Sequence, residues 1–221
     1  MIADAFGPHT FAGAFRFIGD NPGFLLGKAA EQLELAGAAL GLALLVALPL
    51  GVVLGHARRG STFAIGAAIV GRALPSLVLI GVLLTVLGIG FVNNMVALAV
   101  LAAGPLLTNG YQAVDGVDRD VVEAANGVGM SSGQILLRVE LPLALPLLFA
   151  GIRVAAVTVV ATAPIAAVAG GGGLGDVIVN QASYRLEGVL GASLCVMALS
   201  VVVFGVFVWL QRLATPHALR R

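Results

Sequence analysis

The chain has 221 residues, of which 59% are hydrophobic and only 10% charged. A soluble domain would carry about 25% charged residues, so this composition, with a mean hydropathy of +1.05, describes one all-α polytopic membrane protein. The net charge of +1 gives no reason to expect nucleic acid, and the lone Cys195, set in an apolar run, excludes a disulfide framework and a cysteine-based metal site.

Met1 to Gly13 has no basic start and no long apolar run before a small-residue cleavage site, so no cleavable signal is expected. Phe11 to Leu26 is moderately apolar but broken by Arg16, Asp20, Asn21 and Pro22. Residues 1–32 therefore read as an extracytoplasmic, interfacial segment, with an extra short span as the alternative. About five spans follow. Residues 33–55 form the first, since a helix needs about 20 apolar residues to cross the hydrocarbon core, and Pro49 should kink it. His56, Ala57, Arg58, Arg59 and Gly60 make a basic turn. Residues 62–89 are divided by Arg72 and Pro75 into a helix entering from the cytoplasmic surface, Thr62 to Ala73, and a membrane-buried continuation. The third span, 92–112, is interrupted by Gly104 and Pro105. The fourth, 142–169, contains Pro146, Arg153 and Pro164. The last, 189–210, ends at Trp209 before a basic tail, 212–221.

The longest polar interruption is the loop 115–141. Asp118 can cap a short helix, with Asp120 in its first turn, where negative charge suits the helix dipole. Gly127 and Gly129 break that helix. Ser131 and Gln134 form a capping box for a second one, which carries Ile135, Leu136 and Leu137 towards Leu141 and Pro142.

Basic residues give the orientation. Arg58, Arg59, Arg119, Arg138, Arg212, Arg220 and Arg221 fall on one side; only Arg16, Lys28 and Arg185 fall on the other. The richer side should be cytoplasmic. The loop and the C-terminus are then inside and the N-terminus outside; an extra first span would move the N-terminus alone.

No catalytic constellation is present. The sequence has no HExxH helix, no nucleophile elbow, no carboxylate pair at membrane depth and no Walker motif. His9, His56 and His217 are scattered without ligand spacing, and no cofactor is expected. The run Gly170–Gly175 lacks a preceding strand and a following Gly-Lys-Ser/Thr, so it reads as permissive backbone ending a helix rather than as a phosphate loop. Arg72 and Arg153 are charges in membrane segments, explained by snorkelling and packing or by a pathway or partner role. Pro75, Pro105 and Pro164 permit kinks. Thr108, Asn109, Tyr111, Thr158 and Thr162 could line a polar path or satisfy nearby carbonyls.

One motif carries a family likeness. Glu123, Ala124 and Ala125, then three residues, Gly129, nine residues, Val139, one residue, and Leu141–Pro142 resemble the EAA loop of bacterial ABC-importer permeases, which usually has Ile at the position of Val139. Further stretches are similar to osmoprotectant permeases: LPLGVVLGHARR, LPSLVLIGVLLTVLGIG, TNGYQAVDGVD, VELPLALPLLFAGIR and GGGGLGDVI. The last also resembles methionine permeases, as does GRALPS at residues 71–76. Pro164 departs from the pattern of the fourth span.

The resemblance implies a type I ABC importer permease-like fold in a bacterial cell membrane. Glu123, Ala124, Ala125, Gly129, Ser131, Leu141 and Pro142 would form a coupling loop seated in a groove of an ABC ATPase subunit. Pro75, Asn109, Tyr111, Thr162, Pro164, Gly170, Gly173 and Gly175 would serve the pathway or its gate. The further partners implied are a second permease subunit, homologous or identical, and an extracytoplasmic substrate-binding protein. The expected cargo is a quaternary-amine osmoprotectant such as glycine betaine, choline or carnitine. Methionine or another small solute is the alternative, and a passive channel or structural subunit a more distant one. Quaternary ammonium groups are usually held by aromatic rings, and only 6% of this chain is aromatic, so selectivity is expected mainly in the binding protein.

Overall fold

Prolines and glycines set the helix ends, and apolar runs between them set the lengths. The computed structural model describes residues 8–58, 60–62, 64, 66, 69 and 74–214, and every regular element among them is helical. In order these are α1 (Pro8–Asp20), α2 (Pro22–His56), α3 (Ser76–Leu87), α4 (Phe91–Asp115), α5 (Arg119–Gly127), α6 (Ser132–Ile135), α7 (Leu141–Thr162), α8 (Leu174–Val179) and α9 (Gln181–Ala214). A π-helical turn, Leu136–Glu140, joins α6 to α7, and a 3-10 segment, Ala163–Ala169, follows α7.

Four described stretches are long and apolar enough to cross a membrane: Pro22–His56, Phe91–Asp115, Ser132–Ala169 and Gln181–Ala214, with Ser76–Leu87 as a shorter apolar helix. The entering helix expected over Thr62–Ala73, with Arg72, falls largely outside the described residues. Arg59, the start of GRALPS and the tail beyond Ala214, with His217, Arg220 and Arg221, fall outside them too.

Several boundaries differ from those read in the sequence. The first long helix begins at Pro22 rather than Leu33. The break expected at Asp20, Asn21 and Pro22 separates α1, which ends at Asp20, from α2, which Pro22 opens because proline at the first helical position loses nothing by lacking an N–H. The last helix starts at Gln181, and a kink at Arg185 (φ 56°, ψ 178°) divides it. The expected fourth span tightens into the 3-10 segment from Ala163, with Pro164 in its first turn. Pro164 cannot donate to the Val160 carbonyl, and the α-helical ladder ends there.

The chain forms two compact units. The first draws on Met1–Leu40, Pro75–Leu98 and Val157–Val203; the second draws on Gly41–Leu74, Ala99–Ala156 and Phe204–Arg221.

In the first unit, small residues let helices approach closely. Ala14, Ala36, Ala39, Ala97, Ala163, Ala166 and Ala192 are buried alongside Leu35, Leu98, Leu174 and Val177. Helix α1 lies on α9 at two glycines. A Cβ on Gly188 would stand 3.3 Å from the Phe17 ring, and one on Gly191 would stand 3.3 Å from the Ala14 carbonyl. The Tyr184 ring meets Phe17 edge-on and stacks with Phe24.

In the second unit α2 and α4 meet backbone on backbone. A Cβ on Gly51 would stand 2.5 Å from the Leu107 carbonyl oxygen, and one on Gly55 would stand 2.6 Å from that of Tyr111. Gly51 and Gly55 are four residues apart on one face of α2, the small-xxx-small spacing that brings membrane helices together. Beside this crossing, Ala113, Val114, Ala144 and Leu148 form a core against Leu48, Val52, Leu136 and Leu141.

Candidate coupling loop and glycine gate

The polar loop in the second unit is built by its caps. The Asp118 carboxylate accepts the Asp120 N–H at 3.0 Å and opens α5. The helix ends at Gly127, and Gly129 takes φ +83°, a conformation that strains any residue with a Cβ. The Ser131 N–H then donates to the Gln134 side chain at 2.9 Å while the Gln134 N–H donates to Ser131 Oγ, completing the capping box. Ala125 is buried and anchors the loop from within; Glu123, Ala124, Gly129 and Ser131 are exposed, and Leu141 and Pro142 are half-buried. Val121, Val128 and Leu137 also expose large apolar side chains. Glu123 borders a hollow of about 210 Å³ with Arg58, Arg119 and Val122. The loop thus presents a mixed apolar and charged face, suited to a protein partner.

The root of this loop holds an arrangement that sequence reading missed. His56 Nδ1 lies 2.5 Å from Glu140 Oε2, and His56 Nε2 lies 2.6 Å from Ser132 Oγ. Glu140 is only 2% exposed. In the sequence His56 is one of three scattered histidines, and Glu140 does not stand out. An acidic residue directly before Leu141–Pro142, in an otherwise apolar stretch, is the available signal. The Gly51–Gly55 spacing is another.

The glycine-rich run in the first unit is a turn clamped by side chains. Gly170, Gly172 and Gly173 all have positive φ. The Gly173 N–H donates to Glu31 at 3.0 Å. Lys28 Nζ donates to Glu31 at 2.9 Å and to Asp176 at 2.8 Å. Asn94 Nδ2 donates to the Ala169 carbonyl at 3.0 Å, which the Gly90 N–H also reaches. Gln32 Nε2 donates to the Val160 carbonyl at 2.9 Å. Gly175 is buried, packed on the Pro164 carbonyl and Ala167. The amides of Gly170, Gly171 and Gly173 are thus engaged by Ala167, Ala166 and Glu31 of the chain itself.

The remaining expected pathway residues lie in separate places. Thr162 and Pro164 stand where α7 becomes the 3-10 segment, close in sequence to Gly170. Pro75 is exposed and caps α3 in an extended conformation. In the second unit, Asn109 Nδ2 donates to the Pro105 carbonyl at 2.8 Å, Thr108 Oγ1 donates to that of Gly104 at 3.0 Å, and Tyr111 is buried. Arg153 packs on Phe204, 5.1 Å from the ring centroid, and donates to Gln211 at 3.0 Å. Asn93 is buried with neither amide atom hydrogen-bonded among the described residues.

Apolar helices of spanning length, interrupted among the described residues by a capped and exposed two-helix loop, are the build of a multi-pass membrane protein. The chain matches the family described as "Binding-protein-dependent transport system inner membrane component" over residues 47–216, and it belongs to that family. It is 35% identical, over 92% of its length and 94% of the relative's, to the Glycine betaine/carnitine/choline transport system permease protein OpuCB of Bacillus subtilis. To the Choline transport system permease protein OpuBB of the same organism it is 36% identical, over 93% and 95%. To the Osmoprotectant import permease protein OsmW of Salmonella typhimurium it is 33% identical, over 91% and 96%. Its fold is similar to a chain of the inward-facing MetNI methionine ABC transporter, with a TM-score of 0.75, covering 87% of this chain and 96% of that one, at 22% identity. The expected type I importer permease fold is thereby found. The chain is a transporter subunit, not an enzyme: permeases of this family work with an ATPase and a substrate-binding protein, and ATP hydrolysis resides on the ATPase.

Proposed function

We propose that this chain forms the translocation path for a quaternary-amine osmoprotectant delivered by an extracytoplasmic binding protein. The capped loop carries the proposal. Its exposed residues Glu123, Ala124, Gly129 and Ser131, with Leu141 and Pro142 at its root, are the surface offered to the ABC ATPase. The permease names of near full-length relatives support the cargo class. The distribution of arginines supports a cytoplasmic loop and C-terminus with the N-terminus outside.

The mechanism follows from two-state reasoning. ATP binding closes the ATPase dimer and displaces α5 and α6. For this to drive transport, ATP must bind the inward-open and outward-open states with different affinity. A second permease subunit, identical or homologous, completes the path. The turn at Gly170–Gly175, with Pro164 and Thr162 before it, acts at the gate, and Pro75, Asn109 and Tyr111 act along the path.

A reconstituted complex with its ATPase and binding protein should take up labelled glycine betaine, choline or carnitine only with ATP supplied on the ATPase side. Unlabelled methionine should not compete. Competition by methionine alone would move the cargo to the second reading, which the stretches at residues 71–76 and 170–176 keep open. Flux without ATP would favour a channel.

A further inference from the structure

The Ser132–His56–Glu140 bridge is not explained by the loop's surface, since Glu140 faces inward. From it we infer that His56 is a positioning residue for coupling, carrying displacement of the loop into the end of α2. The inference rests on reading the loop as the ATPase contact.

The bridge is, first, two-sided. One imidazole edge holds Glu140 at 2.5 Å, and the other holds Ser132 at 2.6 Å. Ser132 is the first residue of α6 and Glu140 the last of the π turn, so both ends of the loop's second helix are tied to one ring.

Second, the tie is enforced by burial. Glu140 is 2% exposed. A buried carboxylate separated from its partner is strongly destabilising, so a displacement that would open the contact instead draws His56 along. The contact closes in both charge states of the ring. A neutral imidazole donates Nδ1–H to Glu140 and accepts the Ser132 hydroxyl proton at Nε2, whereas a charged one donates to both. What the bridge carries is position rather than protonation.

Third, the parts it joins are stiff. The residues bounding the π turn, Ile135, Leu136 and Leu141, all have right-handed helical backbone, so α6 continues into α7 as one rod. A π turn adds a residue without breaking the rod and is frequent at functional sites. On the other side, α2 meets α4 through main-chain contact at Gly51 and Gly55, so the end of α2 cannot move independently of α4. His56 thus links the rod that carries the loop to a second, closely packed helix pair.

The test uses the full complex in proteoliposomes, reading ATPase assembly, ATP hydrolysis and solute uptake separately. Pairing His56→Ala with Glu140→Leu removes the bridge without stranding a buried carboxylate. Glu140→Gln keeps an acceptor for the ring N–H and serves as the conservative control. The double variant is expected to assemble with the ATPase and hydrolyse ATP at about half the wild-type rate or better, while solute moved per ATP falls about tenfold or more; Glu140→Gln should stay near wild type. Wild-type solute per ATP in the double variant would overturn the inference. So would failure of the double variant alone to assemble, because the bridge would then only hold the fold. If the wild-type chain itself bound no ATPase, the reading of the loop would fail first, a result distinct from either of these.

Discussion

Gln32 donates its amide N–H to the Val160 carbonyl at 2.9 Å, the carbonyl whose α-helical donor would come from Pro164. The side chain of α2 supplies a hydrogen bond that the proline ring cannot. Val160 is 4% exposed, so loss of the Gln32 amide leaves a buried acceptor short of a donor, a cost only partly offset by removing the Gln32 Oε1, which is itself buried without a partner among the described residues. Gln32→Leu should destabilise the protein by about 1–3 kcal/mol. In a Pro164→Ala background, where an N–H returns, the same change should cost clearly less. Thermal unfolding in detergent of the four members of this cycle measures the difference, and equal costs in both backgrounds would refute the pairing.

The α2–α4 crossing gives a second prediction. Gly51→Ala and Gly55→Ala each place a methyl against a carbonyl oxygen and should cost about 1–3 kcal/mol or more, because backbone must shift. Gly37, on the same helix, has open space where a methyl would stand, and Gly37→Ala is the matched control. Unfolding midpoints should fall for the first two and not for the third.

Gly129 at φ +83° predicts a cost from sterics alone. Gly129→Ala should lose about 1–2 kcal/mol through the left-handed backbone although the space around a Cβ there is open. Glu123→Arg, at an exposed position, should leave the unfolding midpoint within about 0.5 kcal/mol of wild type. It should nonetheless weaken co-purification of the ATPase, as read by pull-down from cells expressing both subunits. Undiminished recovery would remove Glu123 from the interface.

The Lys28–Asp176 pair yields a smaller effect. The two side chains are 20% and 37% exposed, so screening by solvent limits the pair to about 1 kcal/mol or less. Asp176→Asn should lower stability by that amount in dilute buffer and by less at about 1 M salt. A loss independent of salt would mean that Asp176 acts through packing.

What is legible in the sequence depends on the range of the interaction. The loop is legible because Asp118, Gly129, Ser131 and Gln134 act on backbone within four residues of themselves, and local caps depend on local sequence. The spanning helices are legible because lipid demands long apolar runs. Their ends are less so: the break at Asn21 is legible, but not that Pro22 opens a helix running unbroken to His56, its missing N–H being harmless at the first helical position. The bridge of His56 to Glu140 joins residues 84 apart in sequence. Nothing in either neighbourhood fixes that meeting, which depends on how α2 packs beside the helix formed by α6 and α7. The same holds for Gln32, whose partner is a carbonyl 128 residues away.

The meeting of α2 and α4 at Gly51, Gly55 and Gly110 has one more consequence. Side chains in a core can change rotamer and accommodate a new arrangement, but main chain facing main chain has no rotamers to change. That seam can slide or stay; it cannot repack. A rearrangement that needs new packing is therefore taken up by contacts made through side chains, while α2 and α4 keep their spacing across the seam.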